Sequence, residues 1–79
     1  MRVISQSGMF DFPYEQIAVY RNDNNVFCRF SNVERSANLL GSYSTEEKAE
    51  KAMEMLRGEW FDYADSGLFQ FPKDEDVEV

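Results

Sequence analysis

The sequence predicts an α+β domain: an antiparallel β-sheet of about five to six short strands with one amphipathic helix packed on one face. Three observations predict it. The Asx-rich run Asn22-Asp23-Asn24-Asn25 lies between two stretches rich in β-branched and aromatic residues. One long segment after residue 44 carries apolar residues at helical spacing. The remaining apolar runs are short and end in Gly, Pro or Asx residues, the punctuation of strands and turns.

Residues 2–6 read as a short strand, followed by a Ser7-Gly8 turn signal. Met9–Phe12 is apolar and stops at Pro13, which implies a sheet edge or a strand end. Ile17–Arg21 and Val26–Phe30 are strands. Asx residues tolerate the left-handed backbone a tight turn needs, so Asn22–Asn25 joins the two strands as a hairpin. Alternation places Val26, Cys28 and Phe30 on one face, with Phe27 and Arg29 on the other. Asn32–Ser36 reads as a polar loop. Leu39–Tyr43 is a further strand, with Gly41 marking a bulge or a close contact.

Ser44-Thr45-Glu46-Glu47 is a helix start. Ser44 as N-cap would place Glu47 at the position that completes a capping box. Ala49, Ala52, Met53, Leu56, Trp60 and Tyr63 then form one continuous apolar stripe. Glu47 and Lys51 form an i,i+4 pair on the wet side. Gly58 marks a kink or a close approach, at a cost of about 1 kcal/mol relative to alanine. Gly67 is placed to cap the far end. Leu68–Phe71 is a last short strand ended by Pro72. Residues 1–72 thus form a single domain, and 73–79 an acidic, frayed tail. Phe10-Asp11-Phe12-Pro13 echoes Phe69-Gln70-Phe71-Pro72, as two similar edge strands would.

A chain of 79 residues buries only about 60% of its unfolded surface. Small domains compensate with disulfides, metals or self-association. With one cysteine and no histidine, a disulfide framework and a structural zinc site are excluded. A homo-oligomer in a reducing cytoplasm is therefore expected. No run approaches the length of a membrane span, and the first residues do not form a signal peptide, so no membrane partner is expected.

The net charge is −7, and it is uneven. Residues 1–43 hold Arg2, Arg21, Arg29 and Arg35 against Asp11, Glu15, Asp23 and Glu34, which sum to zero. All of the net charge lies in residues 44–79. Direct nucleic-acid binding, which needs a basic footprint, is disfavoured. A basic protein partner, or a small anion held on the neutral half, is allowed.

Catalysis is not expected. The usual general base, histidine, is absent. Cys28 alternates with Val26 and Phe30 as a buried thiol would, and has no base to activate it. Asp74-Glu75-Asp76 lacks the spaced ligands and turn glycine of a calcium loop. Gly8, Gly41, Gly58 and Gly67 stand apart and make no phosphate loop, so no cofactor is expected. Binding remains. Arg2, Arg21 and Arg29 lie on expected strands and suit phosphate. Tyr14, Tyr43, Tyr20 or Phe27 could stack on a base. The competing explanation makes the arginines solubilising edge residues and the aromatics core.

The blocks Met1–Gln6 with Asp11–Glu15, Tyr43–Arg57 and Phe69–Pro72 resemble small proteins from phages and prophages of Gram-positive bacteria. Within that group the likeness is to anti-defence sponges of the anti-Thoeris type. Membership would imply an oligomer that sequesters a cyclic nucleotide or cyclic ADP-ribose-like immune signal without cleaving it. This chain is short for such a sponge, and no ligand-contacting position is carried over. The expectation is a nucleotide signal held between subunits, with Arg2, Arg21 and Arg29 on phosphate and Tyr14 or Tyr43 on a base. The alternative is a nucleic-acid mimic whose acidic helix and tail inhibit a bacterial defence nuclease.

Overall fold

The computed structural model describes residues 1–30, 37–63 and 67–79. Its strands are β1 (Arg2–Ile4), β2 (Asp11–Pro13), β3 (Ile17–Asn22), β4 (Asn25–Phe30), β5 (Asn38–Ser42) and β6 (Leu68–Gln70). The helix α1 spans Glu46–Tyr63, and short 3-10 turns occupy Tyr14–Gln16 and Asp74–Asp76. The α+β class and the element order are those the sequence predicts.

The strands form two three-stranded sheets, not the single sheet expected: β2-β1-β6, which is mixed, and β3-β4-β5, which is antiparallel. The 3-10 turn at Tyr14–Gln16 separates β2 from β3. Pro13 keeps its missing N–H on the open edge of β2, and the Tyr14 N–H still donates to the Met1 carbonyl at 2.9 Å. The sheets are stitched at Gln6. Its N–H donates to the Leu40 carbonyl at 2.6 Å, and its side chain bonds the Ser42 backbone and the Pro72 carbonyl. The two Phe-x-Phe-Pro segments supply both edges of the first sheet, where Phe12 and Phe69 flank Val3.

The hairpin turns at Asp23 and Asn24, with Asp23 at φ 56°. Between β4 and β5, Val26 faces Gly41 while Phe27 faces Leu39. Leu40 is thus an extra residue, a bulge, and it turns inward to full burial. Gly41 is a close contact as well: a Cβ there would lie 2.9 Å from the Tyr43 ring.

The core lies between the sheets and α1. Val26 and Cys28 meet Ala49, Ala52 and Leu56 of the helix, with Val3, Phe12 and Phe71 closing it. Each large apolar side chain buried this way contributes about 1.5–3 kcal/mol. The helix begins one residue later than expected. The Thr45 hydroxyl, not Ser44, accepts the Lys48 N–H, at 3.2 Å, so Glu47 completes no capping box. Ser44 bonds Asp74 instead. That contact belongs to residues 73–79, expected as a frayed tail. Here they pack on the domain, with Val77 buried and Lys48 Nζ on the Asp74 carbonyl at 2.9 Å. A Cβ at Gly58 would meet nothing within 4 Å, so no close approach occurs there. The Asn32–Ser36 loop, and the helix end that Gly67 was expected to cap, lie outside the described residues.

Among the described residues, no helix is long and apolar enough to cross a membrane.

Candidate functional site

The five residues singled out for ligand binding do not converge. Arg2 is exposed on β1, its Nε 2.9 Å from Asp11 Oδ1 on the neighbouring strand. Arg21 faces the helix from β3, where it meets Glu50 at 3.3 Å and Glu46 at 3.7 Å and donates to the Asp23 carbonyl at 2.7 Å. Arg29 projects from the opposite face of the same sheet, 5.8 Å from the Tyr20 ring centroid. Among the described residues it pairs with no carboxylate.

Tyr43 cannot stack on a ligand in this fold. Its ring is 3% exposed and its hydroxyl donates to the Pro72 carbonyl at 2.8 Å. Burial raises its pKa, with the nearby Asp74 charge acting in the same direction. The cause is the bulge at Leu40, which leaves room over Gly41 for the ring. Alternation alone could not reveal it.

Tyr14 stands elsewhere, in the turn before β3, with its ring 5.0 Å from Trp60 and tilted by 53°. The pair borders a groove of about 510 Å³ between β3 and α1, lined also by Ile17, Val19, Met53, Leu56 and Arg57. Glu15 shares this lining, and the Met1 amine donates to it at 2.8 Å. That hydrogen bond holds the carboxyl below its ordinary range. An adjoining hollow of about 330 Å³ shares Met53 and Arg57 and extends to Arg21, Glu50 and Glu54.

Sequence reasoning missed Arg57 and Trp60 as site residues. Trp60 fits the core stripe, and Arg57 reads as a break in an acidic helix face. Their spacing of three residues was the available signal, since it places both on one side of a helix. Trp60 is only half-buried and lines the groove beside Ile17 and Val19 of β3.

A second surface lies on the outer side of β3-β4-β5. Tyr20 and Phe27 stack there with centroids 5.7 Å apart and planes within 24°, beside Arg29 and the half-exposed Leu39. A hollow of about 390 Å³ is bounded by Ala18, Tyr20 and Arg29.

Cys28 is fully buried, and desolvation pushes its thiol up to about 11, so it holds almost no thiolate at neutral pH. Among the described residues, no three His, Cys, Asp or Glu side chains gather as a metal would require. The groove offers two aromatic rings, an aliphatic lining, the Arg57 guanidinium and the Glu15 carboxylate, whose charge is met by the Met1 amine. The rings and the guanidinium suit a planar ring bearing an anionic group. Compared with known proteins, the chain matches no family model, no curated protein and no solved structure.

Proposed function

We propose that this chain binds and sequesters a small nucleotide-type signal in the groove between β3 and α1, and releases it unchanged. The observation that carries this reading is the Tyr14–Trp60 ring pair set beside Arg57 in a groove of about 510 Å³. That volume falls in the range of small-molecule sites, roughly 300–1,000 Å³. The rings would take a base and Arg57 a phosphate; Arg21, at the far end of the adjoining hollow, is already paired with Glu46 and Glu50. The protein would act without catalysis, as a phage anti-defence sponge in the cytoplasm of a bacterial host. A cyclic nucleotide or cyclic ADP-ribose-like alarm signal is the ligand class in view.

The nucleic-acid-mimic alternative has less support. Glu46 and Glu50 are engaged by Arg21, and Asp74 by Ser44 and Lys48, so three of its carboxylates already have partners within the chain.

Calorimetric titration with cyclic di- and trinucleotides and cyclic ADP-ribose isomers tests the proposal, with ligand recovered after heating. Binding with intact recovery is expected. Arg57→Glu and Trp60→Leu should each weaken it at least tenfold, while Arg2→Glu leaves it unchanged. Silence across the panel, or binding indifferent to Arg57 and Trp60, would reject the groove.

A further inference from the structure

We infer that β3 is the interface of a symmetric homodimer, in which two copies of the strand pair antiparallel about Val19 and join two β3-β4-β5 sheets into one. The inference does not depend on the ligand.

β3 is an edge strand of six residues, Ile-Ala-Val-Tyr-Arg-Asn. It has no proline, lysine or bulge, the devices that usually protect such an edge. Its one charged side chain, Arg21, is turned to the helix.

The direction of its backbone groups follows from the ladder. Hydrogen-bonded and non-hydrogen-bonded pairs alternate along antiparallel strands. The Tyr43 N–H donates to the Asn24 carbonyl, and the register continues through Asn25 opposite Ser42. Asn24, Val26 and Cys28 therefore turn their backbone groups to β5. Asn25, Phe27 and Arg29 turn theirs to β3, where they meet Asn22, Tyr20 and Ala18. The groups of Ile17, Val19 and Arg21 are left on the open edge. The Ile17 N–H donates to the Tyr14 carbonyl. Among the described residues, no backbone group bonds the others.

A second copy fits this edge in one central register. Val19 exchanges both bonds with Val19 of the copy, and the Arg21 N–H meets the Ile17 carbonyl of the copy, twice by symmetry. On the outer face this places Ala18 opposite Tyr20 of the copy. Small faces large, and the hollow bounded by Ala18, Tyr20 and Arg29 lies where the incoming ring arrives. Charge also favours a second copy. Residues 1–43 sum to zero, so copies can meet here without the repulsion that the −7 of residues 44–79 imposes elsewhere. Of the helix carboxylates near β3, Glu46 and Glu50 share Arg21, and Glu54 lies in the same hollow as Arg57. Ile17 and Val19 also line the groove, so pairing would set the two grooves of a dimer side by side.

Light scattering on the eluting wild-type protein should give twice the 9.3 kDa chain mass. Val19→Pro removes the outward N–H at the centre of the pairing, together with a side chain that packs on the core and lines the groove, whereas Ala18→Lys fills the hollow from an exposed position. Both should elute as single chains with unchanged circular dichroism. Because a variant could fail to fold, amide exchange on the wild type gives an independent reading. The Val19 and Arg21 amides should be protected, and should lose protection on dilution, while Ala18 and Tyr20 stay protected. A wild-type protein of single-chain mass at millimolar concentration would overturn the inference. So would a dimer in which Val19 and Arg21 exchange freely, or one that persists in both folded variants.

Discussion

Asp74 Oδ1 accepts from both the backbone N–H and the hydroxyl of Ser44, at 2.7 and 3.1 Å, and so ties the C-terminal segment to the residue that leads into α1. The same carboxylate lies 3.5 Å from Lys48 Nζ, in the first turn of the helix. The relationship closes the fold. Residues 71–77 return across the domain, and Phe71 and Val77 enter the core.

The Asp74 contact makes stability depend on pH at the acid end. The Ser44 N–H, then the Ser44 hydroxyl and Lys48, lower the folded-state pKa of Asp74. A carboxylate with a depressed folded pKa contributes stability that is present above its unfolded value, about 3.9. The contribution is lost as pH falls through the folded value. Asp74→Ala should melt below wild type at pH 7, and the gap should narrow steadily from about pH 4 downward. Thermal melts at half-unit pH steps would show it. A gap constant down to pH 2 would mean the contact contributes nothing through its charge.

Gly58→Ala should stabilise the protein. Gly58 sits inside α1, and a Cβ there meets nothing within 4 Å. The gain is then that of restricting the unfolded chain, about 0.5–1 kcal/mol. For a domain this size, that raises the melting midpoint by roughly 2–8 °C. An unchanged or lower midpoint would show that the helix bends at this position in solution.

Gly41→Ala should do the reverse. The added methyl would lie 2.9 Å from one Tyr43 ring carbon and 3.0 Å from the hydroxyl oxygen. The ring is held by its bond to the Pro72 carbonyl and by burial. Overpacking of this kind costs about 1–3 kcal/mol. Urea denaturation should show the loss, and Gly41→Ala/Tyr43→Leu should recover part of it. No recovery would place the strain in the bulge backbone instead.

Much of this fold was legible because its signals are local. The hairpin at Asp23-Asn24 needs only turn chemistry and alternation, and the helix only its period. The shared face of Val26, Cys28 and Phe30 on β4 is legible for the same reason, though not that it turns toward the helix; Val26 and Cys28 are fully buried there and Phe30 half-buried. What escaped depends on contacts distant in sequence. The helix cap moved from Ser44 to Thr45 because Asp74 holds Ser44. The parallel pairing of β1 with β6 joins residues far apart in the chain. The burial of Tyr43 follows from a bulge three residues earlier. The candidate site was the least legible part. Three arginines on strands say nothing of which face each takes or which carboxylate is near. The structure gives Arg2 to Asp11 and Arg21 to Glu46 and Glu50, and sets Arg29 on the far side of the sheet.

The Cys28 thiol offers a probe of the central strand that needs no substitution. It is fully buried on β4, between β3 and β5, and desolvation pushes its pKa up to about 11. A raised pKa leaves almost no thiolate at pH 8, and burial excludes the reagent. Reaction with a disulfide reagent should therefore wait for opening of the β3-β4-β5 sheet. In native buffer it should run orders of magnitude slower than in 6 M guanidinium, and rise with urea in step with global unfolding. Reaction already fast without denaturant would mean that β4 opens locally, and that the sheet is the weakest part of the fold. Slow reaction would place β4 in the most stable unit of the domain, as its position under α1 requires.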